Sequence, residues 1–464
     1  MKQSAFAILL TQKRFDLIFK YVYAKHPCAY TRFAYLESIR AFNGFYELNP
    51  SDGVPKNSAE DFINSFDRLI CSLKKDGFSS SKEAIPIGQN GELSDGAHRL
   101  AASAALGLEV ETTTDEYNEW YPYAFFRKNQ MVEDVMDFGA LEYVKLNPNA
   151  YIVNLHAVTD TDQDDKVLEI LGRYGFVYYS KSVSMTYTGY VNLKKISYGS
   201  FWEQDNQWIG GPYNQYAGAQ DHARESRGKG KNPLRVFVFV CDSVEKVVKA
   251  KAEIRALYNI GNFSVHINDT HEEAIWLAEA YFNANTLFFI NHRPFNQLDE
   301  VFENNIQYLK DACQRCCVNI EDVCGAGSTP LNAFFVRHSD DLDYLSLDER
   351  LHEEDEIISP HDSQLQYYPV SKEEIITNPQ YHFYYEGMKF ISLQVLYDFK
   401  KKRGEYPKDY NDCKTIKRIG RKPLITIPTF TWKIFREVMH KNRYSWFVFR
   451  CFRKMYRITL KKHD

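Results

Sequence analysis

Three observations predict a mixed α/β (α+β) fold divided into several domains. Apolar residues recur at helical spacing in some stretches, as at Phe62, Phe66, Leu69, Ile70 and Leu73. Short apolar runs at 176–179 and 236–240 read instead as strands. The chain has 464 residues, 44% hydrophobic and 25% charged, which is enough apolar material for two or three cores and excludes a disordered polymer.

The elements follow in order. Ser58-Ala-Glu-Asp61 resembles a capping box, and the helix it opens ends near Asp76-Gly77. A strand over 84–88, a tight turn at Asn90-Gly91 and an Ala-rich helix from about Leu100 come next. The polar run 159–165 (TDTDQDD) is the first expected boundary. Between the strands 176–179 and 236–240 lies a polar segment, 210–233, rich in Gly, Asn, Arg and Lys, which reads as a long loop. Thr270 caps a helix with Glu273 at the capping-box position, 311–318 is helical, and 364–368 is strand-like. These signals divide the chain into 1–158, 159–310, 311–425 and a tail, 426–464.

Nine cysteines form an odd set. The apolar run within residues 1–14 is too short for a signal peptide, and no stretch approaches the ~20 apolar residues of a membrane span. The expected setting is therefore reducing and cytoplasmic. Cys313, Cys316, Cys317 and Cys324 either ligate zinc or pack a helix, and the lack of a second C-x-x-C pair favours packing. Net charge is −4, but residues 431–464 carry ten Lys/Arg against two acids. The body is thus acidic, which argues against nucleic acid as a partner. In the tail, Trp432, Phe435, Met439, Trp446, Phe449, Phe452 and Tyr456 recur at helical steps among Arg450, Arg453, Lys454 and Arg457. Such a segment either seeks an anionic membrane surface, here the inner face, or packs on its own domain.

Two constellations carry chemistry. In the C-terminal third, Ala326-Gly327-Ser328 precedes Asp341-Leu-Asp343 by twelve residues. Carboxylates at i and i+2 of a strand project from one face and can share Mg²⁺ or Mn²⁺, while a Gly-Ser turn offers backbone N–H groups to phosphate. This pattern resembles the polymerase-β nucleotidyltransferase superfamily. The resemblance implies that Gly327 and Ser328 contact donor phosphates and that Asp341 and Asp343 bind metal and act in catalysis. It also implies a third carboxylate from a later strand. Asp362 is the first candidate, with Glu354, Asp355 and Glu356 as alternatives. Downstream, residues 388–416 resemble the helix and Lys-Asp-x-x-Asp segment of minimal members, which places Lys408, Asp409 and Asp412 beside the site.

Near the N-terminus, a strand and turn lead to Asp95-Gly96-Ala-His98-Arg99 and then an Ala-rich helix. Gly96 allows close backbone approach, Arg99 offers a fork for phosphate oxygens, and His98 can donate to a phosphate or act as an acid. The motif resembles the ParB/sulfiredoxin superfamily, in which it holds nucleotide phosphates. That implies catalytic roles for Asp95 and His98 and donor binding by Gly96 and Arg99. The alternative is a surface turn in which Asp95 caps a helix and Arg99 pairs with an acid.

Weaker features remain. His266, Asp269 and His271 lie close in sequence, as metal or substrate ligands or as plain loop and cap residues. Arg224, Arg227, Lys229 and Lys231 either fold over an anionic donor or are solvated. The middle segment resembles proteins of bacterial capsule and O-antigen gene clusters. Together these features predict a metal-dependent transferase that moves a sugar or phospho-substituent from a phosphate-activated small-molecule donor to a glycan or lipid-linked glycan. The alternatives are a nucleotidyltransferase acting on nucleic acid or protein, and a small-molecule kinase working at Asp95–Arg99.

Overall fold

A computed structural model of the protein describes residues 2–48, 53–79, 84–116, 121–198, 208–230, 232–339, 341–352 and 355–419. Over these residues the fold is mixed α/β, with helices packed around three small sheets. The tail of 426–464, Glu354 and Lys231 lie outside the described residues. Among the described residues no helix is long and apolar enough to cross a membrane.

The first lobe contains β1 (Lys2–Ser4), α1 (Ala5–Thr11), α2 (Leu17–Lys25), α3 (Ala29–Asn43), α4 (Ala59–Asp76), β2 (Ile85–Gly88), α5 (Ala97–Ala105), β3 (Glu109–Asp115), α6 (Tyr123–Lys128) and α7 (Glu133–Leu146). Its sheet has the order β1-β3-β2, with β3 parallel to β2 and antiparallel to β1. The Ser58 hydroxyl accepts from the Asp61 N–H and starts α4, whose Phe62, Phe66, Ile70 and Leu73 are buried. Helix α5 is the crossover between the parallel strands β2 and β3, and its alanines let it pack closely on α1 and α2. Under it lies a buried charge cluster in which the Asp16 carboxylate accepts from both Arg14 and Lys20.

The middle lobe contains β4 (Ala150–Leu155), α8 (Asp164–Tyr174), β5 (Phe176–Val183), α9 (Tyr187–Tyr198), α10 (Ala217–Arg227), β6 (Leu234–Val240), α11 (Val244–Tyr258), β7 (Val265–Ile267) and α12 (His271–Phe282). These four strands form an antiparallel sheet, β5-β6-β4-β7. One face packs on α8 and α11 through Leu171, Phe239 and Ile254. The opposite face shares a single core with the N-terminal helices, through residues such as Ile152, Val238, Leu141 and Phe19. A division at 159 therefore cuts β4 from its sheet, and the polar run there starts α8, with Asp164 and Asp165 in its first turn. The expected loop over 210–233 is also partly helical. Its residues 217–227 form α10, which buries Ala219, His222, Ala223 and Ser226.

The C-terminal lobe contains α13 (Ala284–His292), α14 (Glu300–Arg315), β8 (Val323–Gly325), α15 (Thr329–Ala333), β9 (Leu342–Ser346), β10 (Ile358–Pro360), α16 (Lys372–Thr377), β11 (His382–Tyr385), β12 (Met388–Ile391), α17 (Leu393–Arg403) and α18 (Lys408–Ile419). The sheet order is β10-β9-β8-β12-β11, mixed in direction. Its core draws in Phe289, Phe302 and Leu309, so this lobe begins upstream of residue 311. Cys313 on α14 and Cys324 on β8 are buried and take part in no disulfide. Lys145 of α7 bridges to this lobe, donating to Glu321 at 2.6 Å.

One buried imidazole gives a measurable pH dependence. His382 is 2% exposed, donates through Nδ1 to the Ile375 carbonyl at 2.9 Å, and is pushed down to about 3 by burial and by Lys389. The unfolded chain takes up this proton near pH 6.5, whereas the folded one stays neutral. Stability therefore falls as pH drops from 6.5 towards 3, by about 1.4 kcal/mol per pH unit for this group. Urea unfolding between pH 6 and 4 should show a slope shallower by about one proton in His382→Asn, which keeps an N–H donor.

Candidate functional site

The two halves of the C-terminal signature meet at the end of β8. The chain leaves that strand at Ala326, whose N–H donates to the Asp343 carbonyl at 2.7 Å. Gly327 follows with φ of +55°, and a Cβ placed there would lie 1.7 Å from Asp343 Oδ2. The carboxylate thus rests on bare backbone, which only glycine permits. Asp341 lies just ahead of β9 and is exposed, while Asp343 lies on β9 with its side chain 23% exposed. Asp341 forms a bend before the strand begins, so only Asp343 of the expected pair stands on β9.

Next along the sheet, β10 runs parallel to β9 with Ser359 opposite Asp343. The Ser359 hydroxyl donates to Asp343 Oδ1 at 3.2 Å. Two residues on, His361 Nε2 lies 3.9 Å from Asp343 Oδ2, and its Nδ1 is 2.7 Å from the Tyr368 hydroxyl. That hydroxyl also accepts from the Gly327 N–H at 3.4 Å, which ties His361 and Tyr368 to the turn under Asp343. Burial depresses the basicity of His361 against the opposing pull of Asp343, with Arg403 and Lys400 adding to the depression.

Behind Ser328 stands a buried charge network. Lys400, whose side chain is 1% exposed, donates to Ser328 Oγ at 3.1 Å and lies 3.2 Å from Asp409 and 3.1 Å from Asp412. Arg403 forks onto Asp409 and Arg337 onto Asp412. Burial would raise Asp409, but Arg403, the Glu405 N–H and Lys400 hold it down at about 2. The paired spacing of Asp409 and Asp412 on α18 is therefore part of the site. Lys408 is exposed at the start of that helix, and the lysine that reaches Ser328 is Lys400.

Asp362 stands elsewhere. Residues 364–368 are not a strand, because Asp362–Tyr367 forms a 3₁₀ turn whose Asp362 ion-pairs with Lys372. Asp355 caps its own loop by accepting from the Ile357 and Ile358 N–H groups. The strand after β9 therefore offers Ser359, a hydroxyl, where a third carboxylate was expected. Among the described residues no group of three or more His, Cys, Asp or Glu side chains gathers as a metal ligand set.

The N-terminal motif is arranged differently. Gly96 adopts φ of +79° and caps α5, and a Cβ there would lie 3.2 Å from the Arg99 guanidinium, which folds back over it. His98 does not face solvent freely. Its Nε2 is 3.0 Å from the Tyr35 hydroxyl and its ring packs edge-on to Tyr35 and Phe66. Burial, then the Lys20 charge, pushes His98 well below its usual range. Asp95 is exposed. A groove of about 400 Å³ beside β2 is lined by Gln12, Gly88, Gly91 and Thr112, and not by Asp95, His98 or Arg99. This motif belongs to the first core and the C-terminal signature to another.

The weaker candidates separate. His266 pairs with Glu273, His271 reaches the Val144 carbonyl, and Asp269 faces Lys251. Arg224 is tied to Asp221 on exposed α10 surface. Sequence reasoning missed Ser359, His361, Tyr368, Arg337, Lys400 and Arg403. A signal existed for Lys400, which falls seven residues after Leu393 and four after Leu396, on the apolar side of α17. No protein-family model, curated protein or solved structure matches the chain.

Proposed function

We propose that the protein is a transferase of bacterial surface-polysaccharide assembly, whose C-terminal lobe works as a polymerase-β-type nucleotidyltransferase module on a nucleotide- or diphosphate-activated donor. The observation that carries this reading is the seating of the Asp343 carboxylate on Gly327, with Ser328 and Lys400 beside it. Residues sixteen apart in sequence form one contact, as the chemistry of the signature requires. The resemblance of the middle segment to capsule and O-antigen proteins supports the glycan acceptor, and the basic aromatic tail supports work at the inner membrane face.

Mg²⁺ or Mn²⁺ fits these residues, because a hard cation of this size keeps several waters and is commonly held by one or two carboxylates plus substrate phosphates. Asp341 and Asp343 would hold it, and when bound it neutralises charge on the donor phosphates. The chain's own groups supply the rest. Lys400 donates to Ser328 Oγ, which leaves the Ser328 O–H free to donate to a phosphate oxygen. The Ser359 hydroxyl holds the Asp343 carboxylate in orientation, and the His361 ring stands 3.9 Å from its other oxygen. A second reading, a donor-binding module without turnover, is favoured by Ser359 standing where the resemblance implies a carboxylate.

The test is calorimetric binding and product formation with a panel of nucleoside triphosphates and nucleotide sugars, with and without Mg²⁺. Asp343→Asn should weaken metal-dependent donor binding by about 100-fold. Asp362→Asn, which loses a surface ion pair worth under about 1 kcal/mol, should bind as the parent does. Undiminished binding and transfer by folded Asp343→Asn would refute the proposal. Metal-dependent binding without transfer would select the second reading.

A further inference from the structure

The middle lobe encloses a polar cluster that the C-terminal site does not use. His156, just past β4, is fully buried, and its Nε2 lies 2.9 Å from the amine of Lys194 on α9, itself 1% exposed. His222 on α10 is 6% exposed, with its ring centre 6.4 Å from that of His156. His266 on β7 completes the group, between Glu273 at 2.6 Å and the Tyr198 hydroxyl at 2.9 Å. Asn154 on β4 stands opposite His266 in the sheet register.

Buried polar atoms are nearly always hydrogen-bonded, yet this cluster leaves several without a protein partner. They are His156 Nδ1, His222 Nε2, and both the oxygen and nitrogen of the Asn154 amide. The charge balance is equally one-sided. The groups facing His156 and His222 are Lys194, His266, Arg235 and Arg255, all basic. Of the nearby acids, Glu273 already holds His266, and Asp164 already holds Arg235. A lysine closed off beside a histidine, with no acid of its own, is costly unless something anionic joins it.

The hydrogen positions narrow the ligand. With an anion bound Lys194 is an ammonium, which has only protons to give, so His156 Nε2 then accepts and His156 Nδ1 carries a proton into the cluster. The Ser226 hydroxyl donates to the His222 carbonyl at 2.7 Å, so it accepts from His222 Nδ1–H. His222 Nε2 is then a bare acceptor. A ligand that fits must accept from Lys194 and His156 and donate to His222. We propose that this cluster is a second binding site, which takes the singly protonated phosphoryl group of a small phosphomonoester. Its oxyanions meet Lys194 and His156, and its P–OH meets His222.

The Trp208 ring lies 5.6 Å from His222 and 5.2 Å from Tyr198, and Trp208 is 42% exposed. An exposed aromatic face beside an anion site suits a sugar or base ring. Burial also pushes Lys194 down to about 7 and His222 to about 3, so the cluster without an anion holds little charge at neutral pH. An anion would draw protons back onto it.

The experiment titrates the full chain with inorganic phosphate, glucose 1-phosphate, UMP and sulfate at constant ionic strength, reading imidazole ¹⁵N signals and calorimetric heats. Phosphate and at least one monoester should shift the His156 and His222 resonances. Sulfate, which has no proton to donate near neutral pH, should bind at least about 10-fold more weakly. Lys194→Met and His222→Gln should each lower phosphate affinity by about 10-fold or more, and Asp362→Asn, outside both sites, should leave it unchanged. Glucose 1-phosphate and UMP distinguish a sugar from a nucleoside as the attached group. Unmoved imidazole signals in the folded parent protein would show that ordered water alone fills the cluster, and overturn the proposal. Equal binding of sulfate would overturn it as well. Both readouts use the parent protein, so a variant that fails to fold leaves the test standing.

Discussion

Gly327→Ala is expected to cost about 2–5 kcal/mol of stability in the C-terminal lobe and to abolish metal-dependent donor binding. Two independent costs combine. A left-handed backbone carries about 1–2 kcal/mol of strain for a residue with a Cβ, and forcing an atom into a packed site adds about 1–3 kcal/mol. The second applies because that Cβ would fall 1.7 Å from Asp343 Oδ2, so the carboxylate must swing off the Gly327 backbone. Gly404 is the natural control. It has φ of +69° but no atom within 4 Å of its Cβ position, so Gly404→Ala should cost only the backbone share. Urea unfolding of both variants separates the terms. Equal losses would mean that Asp343 does not rest on Gly327.

Lys400→Met should cost about 3 kcal/mol. The substitution keeps the length of the side chain but leaves Asp409 and Asp412 facing each other under the surface, and stranding buried charge in this way typically costs about 3–5 kcal/mol. Arg403 and Arg337 remain to hold one carboxylate each, which places the expected loss at the lower end. A second change, Asp412→Asn, should recover a large part of the loss by removing one of the stranded charges. The acid limb should move too. Asp409 titrates at about 2 when folded and near 3.8 when unfolded, so its contribution is present above pH 3.8 and disappears as pH falls towards 2. Without Lys400 that folded value rises, and the contribution shrinks. A variant within 1 kcal/mol of the parent by urea unfolding would show that the network does not depend on its central lysine.

How much of this was legible in the chain depended on whether the information was local. The start of α4 and the cap of α12 were readable, because Ser58 and Thr270 each act on a backbone group three residues away. The Gly-Ser turn, the Asp-x-Asp spacing and the Asp409/Asp412 pair are short sequence patterns too, and the fold brings Gly327 and Asp343 together across sixteen residues. What failed was non-local or disguised. Ser359 matters only through its register with Asp343, and the three-residue strand that carries it lies among acids that drew attention to Asp362. Lys400 stands in a run with Lys401 and Lys402, and only its angular position on α17 sets it apart. Helix α10 escaped notice because its inward face is Ala219, His222, Ala223 and Ser226, small or polar residues that carry no apolar period. The acidic run at 159–165 looked like a linker because a helix start and a linker draw on the same residues.

The position of β4 has a consequence for biosynthesis. It is an interior strand, between β6 and β7, and all six of its residues are buried. Its first partner, β5–β6 side, is completed only when β6 emerges, about 80 residues after Leu155. At roughly 5–20 residues per second, a ribosome needs about 4–16 s to supply it. Through that interval the sequence AYIVNL has neither neighbour to hydrogen-bond with. Helix α7, made just before it, can cover one apolar face, but not the two bare edges, and bare edges are what recruit other strands. A nascent chain stalled between residues 155 and 234 is where misassembly of this protein would begin.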